Sequence, residues 1–331
     1  MGSPKKYRTV ISSTHIDSHG NRMSLEALEQ MVEAINNKDH CIRMGVDHRK
    51  DFPPKGRIEN ASLKKEGDYY LVEADFCEFE KSEIVDWDET LIKESFPNSF
   101  QFAEVENNTP NKISILTGPN NFKSYEEYKK YKTYVSSKID LDIDMKEEMR
   151  KSAIPDPEII FQLVSSFIFY QLLKPVAKQV GEKVSDDISD YAVTEGKKII
   201  KLIDETLREF LYRCIPKTRP ASIIFDFPGT PHIELIARTR DKNLVLKSLS
   251  KNKIADVKKE IEELSKHINI AKVQFLLSKK GKWKFNYLIT NKGEVIGKKI
   301  SFESRDKRIE MIHKETALEN KQFGNTKRIK K

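Results

Sequence analysis

The chain has 331 residues, with 59 lysines and arginines against 51 aspartates and glutamates, which gives a formal net charge of +8. This length favours about two domains of roughly 100–200 residues each. A composition of 38% hydrophobic and 33% charged residues excludes collagen, a fully disordered chain and a polytopic membrane protein. The three cysteines, Cys41, Cys77 and Cys214, lie far apart and therefore favour free thiols and a cytoplasmic location.

Residues 1–124 predict a compact, mainly β domain. β-Branched residues indicate a first strand over 7–13, and Ser24 is placed to cap a helix that begins at Leu25. An acidic stretch over 78–94 predicts a short helix. Further strands are expected at 41–46, 57–63, 69–76, 99–105 and 112–117.

Residues 125–216 predict a helical segment. Tyrosines recur every third residue from Tyr125 to Tyr134 on a lysine-rich helix, and a second helix is expected over 195–214. The longest uncharged run, 159–173, is shorter than the roughly 20 residues that a membrane-spanning helix needs. We interpret this run as a buried helix or packing face, with peripheral membrane contact or oligomerisation as the alternative. We expect a homo-oligomer through this helix and no transmembrane span.

Residues 217–302 predict a basic α/β domain, followed by a polar tail over 303–331. Two strands are expected first, at 222–227 and 232–237, and an amphipathic helix follows over 254–268. After the helix we expect an antiparallel meander of three strands, at 271–278, 282–290 and 294–302. Trp283, Phe285 and Tyr287 alternate with polar residues, which predicts an aromatic face packed against the helix. The fold class is therefore α+β.

The charge is distributed unevenly along the chain. Residues 1–125 hold 16 basic and 21 acidic residues, whereas 241–300 hold 15 basic and 6 acidic residues. Such an excess can attract nucleic acid, acidic lipid or the acidic surface of a partner. It is also common in lysine-rich proteins that have no such ligand, so both interpretations of 241–300 stay open.

Common catalytic signatures are missing from the chain. There is no Walker loop, dinucleotide-binding glycine motif, H-E-x-x-H helix or G-x-S-x-G elbow, so we expect neither a cofactor nor a metal. His48 is the more notable histidine, because it follows the end of a predicted strand and precedes a proline loop. A rigidly held, exposed histidine suits a general base.

Five short segments over residues 7–121 resemble the prohead maturation proteases of tailed phages. His48, with Pro54 and Gly56, resembles the H-x(n)-P-x-G segment of that family, and Ser99-Phe-Gln-Phe resembles its S-I-G-F strand. The order of the segments carries the resemblance, since each is weakly specific alone. The other three segments are 14–28, 66–75 and 113–121.

The resemblance implies a small β-barrel flanked by helices, as in the herpesvirus assemblins, and a serine endopeptidase. His48 would be the general base and Ser99 the nucleophile, which a neighbouring base must activate. Lys112 stands where the family has an acid, and Gln101 replaces the glycine that follows the serine. The third member of the triad therefore stays open among Asp47, Glu104 and His15.

Two functions from different classes follow from these observations. The first is a serine endopeptidase related to phage capsid maturation, host-encoded or repurposed, that cuts a protein substrate. The second is a catalytically degenerate protease fold that recognises a capsid-related protein. In that case the rest of the chain would serve assembly, membrane contact or nucleic-acid binding.

Overall fold

The computed structural model describes residues 6–16, 22–103, 113–138, 143–148, 156–163 and 186–326. The chain forms two compact units: Met1–His15, Arg22–Ala103 and Lys292–Lys331 make the first, and Ile16–Asn21 with Glu104–Asn291 make the second. The sequence predicts four consecutive segments, 1–124, 125–216, 217–302 and 303–331. The α+β class is confirmed.

The described helices and strands are numbered in chain order. The helices are α1 (Leu25–Ile35), α2 (Tyr125–Lys138), α3 (Asp186–Arg213), α4 (Lys242–Ser248), α5 (Lys251–Ser265) and α6 (Lys299–Thr326). The strands are β1 (Lys6–Ser13), β2 (Ile42–Met44), β3 (Gly56–Glu66), β4 (Tyr69–Glu78), β5 (Lys81–Val85), β6 (Asp88–Ser95), β7 (Ile113–Thr117), β8 (Ile143–Glu147), β9 (Glu158–Gln162), β10 (Ser222–Phe227), β11 (His232–Arg238), β12 (Ile270–Leu277), β13 (Trp283–Thr290) and β14 (Val295–Lys298).

A four-stranded antiparallel sheet in the order β1-β4-β3-β2 forms much of the first unit. The Ser24 hydroxyl caps α1 by accepting a hydrogen bond from the Ala27 amide at 3.2 Å, as the sequence predicts. Leu28 of α1 packs with Val72 and Ala74 of β4 in the core. Within the described residues this sheet ends at β1 and β2 without closing into a barrel.

The acidic stretch predicted as a helix is instead the hairpin β5–β6. Strand β6 is paired on both sides, with β5 and with β14, and both pairings are antiparallel. The prediction was wrong because these pairings, one of them to a strand some 200 residues later in the chain, outweigh local helix propensity.

The strands of the second unit follow the order β13-β12-β11-β10-β9-β7-β8. β10 and β11 form an antiparallel hairpin, and α4 and α5 connect β11 to its parallel neighbour β12. α5 buries Ile254, Val257, Ile261 and Leu264 and packs on β12 and β13. The predicted helix is confirmed, and Trp283, Phe285 and Tyr287 are buried as expected. A register shift in the β12–β13 pairing places Tyr287 opposite Gln274, where its hydroxyl accepts a hydrogen bond from the Gln274 amide at 3.2 Å, so the packing of all three rings on α5 stays a prediction.

Three expected element assignments change in the structure. Residues 159–162 lie in β9 rather than in a helix, because this β-branched and aromatic stretch pairs with both β10 and β7; residues 164–173 lie outside the described part. Residues 299–302 begin α6 rather than end a strand, and the expected polar tail is helical to Thr326. β7 pairs with β8 and β9, so it belongs to the second unit.

Across the part of the chain that the structure describes, no helix is both long enough and apolar enough to cross a membrane.

Candidate metal centre

A row of polar side chains crosses the sheet of the second unit where β9 and β10 end and β11 and β12 begin. The register places Asp226 of β10 directly opposite Glu234 of β11, and Gln162 of β9 beside Asp226. Glu234 in turn lies beside Gln274 of β12. Directly opposed residues project from the same face of a sheet, so the register alone gathers these groups.

His232 completes the row because it precedes Glu234 by two residues and so points to the same face. Its Nε2 is in hydrogen-bond contact with Oδ1 of Asp226, which it reaches across the connection formed by residues 228–231. The second oxygen of Asp226, Oδ2, accepts a hydrogen bond from Nε2 of Gln162 at 3.2 Å. Both oxygens of this carboxylate are therefore held in place.

Glu234 is held by two neighbours on β12. Lys272 donates from Nζ to Oε1 of Glu234 at 2.5 Å, and Gln274 donates from Nε2 to Oε2 at 2.8 Å. Asn286 of β13 donates to Oε1 of Gln274 at 2.7 Å, which extends the network to the next strand. Each of these side chains is buried, and a buried polar network of this kind is rigid when its members are satisfied.

The side chains of Asp226, His232 and Glu234 each offer a ligand atom, and these atoms lie within 4.8 Å of one another. In an octahedral site with bonds of about 2.1 Å, neighbouring donor atoms lie about 3 Å apart. The three side chains are therefore near enough to share one ion, which would replace the contact between His232 and Asp226. The three residues retain 5–7% exposure, whereas Gln274 and Asn286 retain 0% and 2%. The three candidate ligands are therefore slightly more exposed than Gln274 and Asn286 at the other side of the network.

The sequence analysis placed Asp226, His232 and Glu234 in predicted strands but did not single them out. The available signal was a set of ionisable residues inside otherwise apolar strands, at 226 and, with a spacing of two, at 232 and 234. Ionisable residues in strands that are apolar on both faces are costly to bury and tend to mark functional sites. The sequence does not show the register in which the two strands pair, so it does not show that these residues lie opposite each other.

The predicted base, His48, is exposed at the tip of a tight turn in the first unit. Val46 and Arg49 bridge the turn, and Asp47 and His48 both have positive φ angles, 55° and 52°. Asp47 accepts a hydrogen bond from Nε of Arg308 at 2.8 Å. His48 is therefore presented on a turn that a contact of its neighbour ties to α6, and its role as a base stays a prediction.

The predicted nucleophile, Ser99, is exposed and lies outside any strand. Nearby, Cys41 and Phe102 form a parallel bridge. The two bridged segments run in the same direction. Ser99 comes three residues before the bridge on its segment, whereas His48 comes seven residues after the bridge on the other. The two residues therefore lie on opposite sides of the bridge along the chain direction. Within the described residues neither side chain makes a hydrogen bond, and the dyad stays a prediction.

The candidates for a third triad member have other contacts or fall outside the described residues. His15 stacks on Tyr69 with 3.8 Å between ring centroids, and Asp47 is bound to Arg308. Glu104 and Lys112 lie outside the described residues.

No protein-family model, curated protein or solved structure matches this chain. Functional inference therefore depends on the chemistry of the residues themselves.

Proposed function

We propose that the second unit is a divalent-metal-dependent hydrolase of phosphate esters, with Asp226, His232 and Glu234 as metal ligands. One observation carries the proposal: two buried carboxylates face each other directly across β10 and β11, with an imidazole beside them. Like charges in directly opposed positions of a sheet repel each other, and burial strengthens that repulsion. A cation between them removes this cost.

The charge balance of the cluster supports a cation. Lys272 offsets one of the two carboxylates through its contact with Glu234. Asp226 contacts a neutral amide and an imidazole, which offsets its charge only in the protonated form; with His232 as a neutral metal ligand, a cation supplies the missing charge. Two carboxylate groups and one imidazole nitrogen suit Mn²⁺, Fe²⁺ or Zn²⁺, and the carboxylates also suit Mg²⁺. The amide of Gln162 fixes the orientation of the Asp226 carboxylate, as second-shell partners of metal ligands do.

Three protein ligands are typical of catalytic rather than structural metal sites, since they leave positions for water and substrate. A bound divalent cation supplies Lewis acidity and lowers the pKa of a coordinated water. The ammonium group of Lys272 lies beside the ligand Glu234, where it can stabilise negative charge that develops on a phosphoryl oxygen. This combination of charges favours phosphate esters over neutral substrates.

The proposal predicts one Mn²⁺ ion per chain and slow, metal-dependent hydrolysis of bis(p-nitrophenyl) phosphate. Asp226→Asn and Glu234→Gln keep the shape of the side chains but remove a ligand charge, so we expect each to weaken Mn²⁺ affinity by at least about tenfold. Isothermal titration calorimetry measures the affinity, and release of p-nitrophenol measures the activity. Asp256→Asn, at an exposed position of α5, is the matched control.

Two results would contradict the proposal at different points. Absence of Mn²⁺ binding at millimolar concentration, or equal binding by wild type and Asp226→Asn, would overturn the metal centre. Binding that depends on Asp226 without any hydrolysis would retain the metal centre and overturn the catalytic role.

The three cysteines carry free thiols, which supports the cytoplasmic location proposed from their spacing. The serine endopeptidase and its capsid-related partner stay predictions.

A further inference from the structure

The far end of β12, away from the metal ligands, carries a cluster of lysines that we call the basic tip. The β12–β13 turn contributes three of them, and the junction between α4 and α5 contributes the other three. The members are Lys247, Lys251, Lys253, Lys279, Lys280 and Lys282.

Direct contacts join the turn to the helix junction. Nζ of Lys253 donates to the carbonyl oxygen of Gly281, and Nε1 of Trp283 donates to the carbonyl oxygen of Ser248 at 2.9 Å. The turn is closed by backbone hydrogen bonds from Ser278 to Lys282 at 2.9 Å and from Gly281 to Ser278 at 2.8 Å. Gly281 has a φ of 68°, a left-handed conformation that glycine adopts without strain. The lysines therefore project from a rigid base.

The charge of the basic tip is not neutralised by its surroundings. Lys247, Lys251, Lys279, Lys280 and Lys282 are exposed, and none of them forms an ion pair with a described residue. The first turn of α5 contains no acidic residue, although helix N-termini favour acidic side chains. By contrast, the other end of α5 is mixed in charge, since Lys258 pairs with Glu262 and Lys266 pairs with Glu263.

We infer that the basic tip binds the phosphate backbone of nucleic acid. Lysine ammonium groups bind phosphates as point charges, and several of them on one surface provide the sequence-independent charge that attracts a phosphate backbone. Of the larger apolar side chains at the tip, Val245, Leu249 and Trp283 are buried, Leu244 and Leu246 are half-buried, and no aromatic ring of the tip is exposed among the described residues. The tip therefore lacks a stacking platform for bases, so the expected binding is independent of base sequence.

This inference does not rest on the proposed hydrolase activity, and the two can be tested separately. Fluorescence anisotropy with a labelled 20-base-pair DNA of arbitrary sequence measures affinity as a function of salt. We expect the triple substitution Lys279→Gln, Lys280→Gln and Lys282→Gln to weaken binding at least about tenfold. The slope of log affinity against log salt should become shallower by about 3, since three lysines are removed and each phosphate contact contributes about 0.9.

The matched control removes three lysines from the mixed-charge end of α5 through Lys258→Gln, Lys259→Gln and Lys266→Gln. This control has the same net charge as the test variant and should bind DNA nearly as wild type does. Asp226→Asn should also keep full DNA affinity, because it lies at the opposite end of the sheet.

Three outcomes would overturn the inference. Equal weakening in both triple variants would mean that net charge alone attracts DNA. Absence of salt-dependent binding by the wild type would exclude a nucleic-acid surface. Binding to vesicles of anionic phospholipid without binding to DNA would assign the tip to a membrane instead.

Discussion

Cys77 shows how one neighbouring carboxylate controls the chemistry of a side chain. Its thiol is buried on β4 and donates to Oε1 of Glu59 at 3.3 Å. Burial first, and then the hydrogen bond and the negative charge of Glu59, raise the pKa of Cys77 to about 11. Because the thiolate is the reactive form, this environment protects the thiol near neutral pH.

We therefore expect the alkylation of Cys77 by iodoacetamide to have its midpoint near pH 11 in the folded protein and near pH 8.5 in urea. At pH 8.5 this difference makes the folded thiol roughly 100-fold less reactive. A raised thiol pKa also means that the protonated thiol of Cys77 contributes to the free energy of unfolding. This contribution is fully present below about pH 8.5 and is lost as the pH rises towards 11. Peptide mass spectrometry across a pH series measures the reaction.

Glu59→Gln removes the charge that raises the pKa of Cys77, so its profile should move to lower pH while the burial of the thiol is unchanged. A folded-state midpoint near 8.5 in the wild type, or a profile that Glu59→Gln leaves unmoved, would contradict this account. A slower rate with an unshifted midpoint would mean that limited access alone protects Cys77.

At the scale of helices and strands, the side-chain amide of Asn36 joins the end of α1 to a bulge in β3. The register between β3 and β4 shifts between Glu59 and Ser62, and Asn60 in the bulge has a φ of 53°. A bulged residue loses its ladder partners. Asn36, at the end of α1, replaces them by donating to the carbonyl oxygen of Ala61 and accepting from the Ala61 amide, both at 2.8 Å.

Asn36→Ala should lower the free energy of unfolding by about 2–3 kcal/mol, because it leaves both backbone groups of buried Ala61 unsatisfied. Urea denaturation followed by circular dichroism measures this change. Asn37→Ala is the control: Asn37 accepts only a local hydrogen bond from the exposed Asp39 amide, and the expected loss is under about 1 kcal/mol. Equal losses in the two variants would contradict a special role for Asn36.

At the scale of the whole molecule, the first unit is assembled from distant parts of the chain. β14 pairs with β6, and the guanidinium of Arg305 in α6 forms two hydrogen bonds to the Glu94 carboxylate, at 2.7 and 2.8 Å. Arg305 is fully buried and also donates to the carbonyl oxygen of Pro54 at 2.9 Å. The C-terminal residues are thus a structural part of the unit that begins at the N-terminus.

A fragment of residues 1–103 should therefore fail to unfold cooperatively. It lacks the partner strand of β6 and leaves Glu94 without its cation, which alone costs about 3–5 kcal/mol of a total stability near 5–15 kcal/mol. Joining 1–103 to 292–331 through a short Gly/Ser linker should restore a cooperative urea transition, since the Phe100 amide donates to the Lys292 carbonyl at 3.2 Å. The same midpoint for both fragments would contradict the assembly described above.

Local patterns in the sequence were sufficient for much of the secondary structure. The 3-4 spacing of Ile254, Val257 and Ile261 identified α5, and the Lys279–Lys282 turn was visible between two β-rich stretches. These assignments succeeded because helix periodicity, capping and turn chemistry involve residues a few positions apart. The reduced state of the thiols and the excess of charge over 241–300 are likewise properties of composition.

Contacts between distant residues decided the rest. The 78–94 stretch became a hairpin because β14 supplies its partner, and residues 159–162 became a strand because β7 and β10 flank them. The candidate metal centre depends on the register of β10, β11 and β12, which places Asp226, Glu234 and Lys272 on one face. Register is set by pairing across the sheet, and a shift of one residue would move these side chains to opposite faces. The spacing of residues along the chain does not indicate which register the strands adopt.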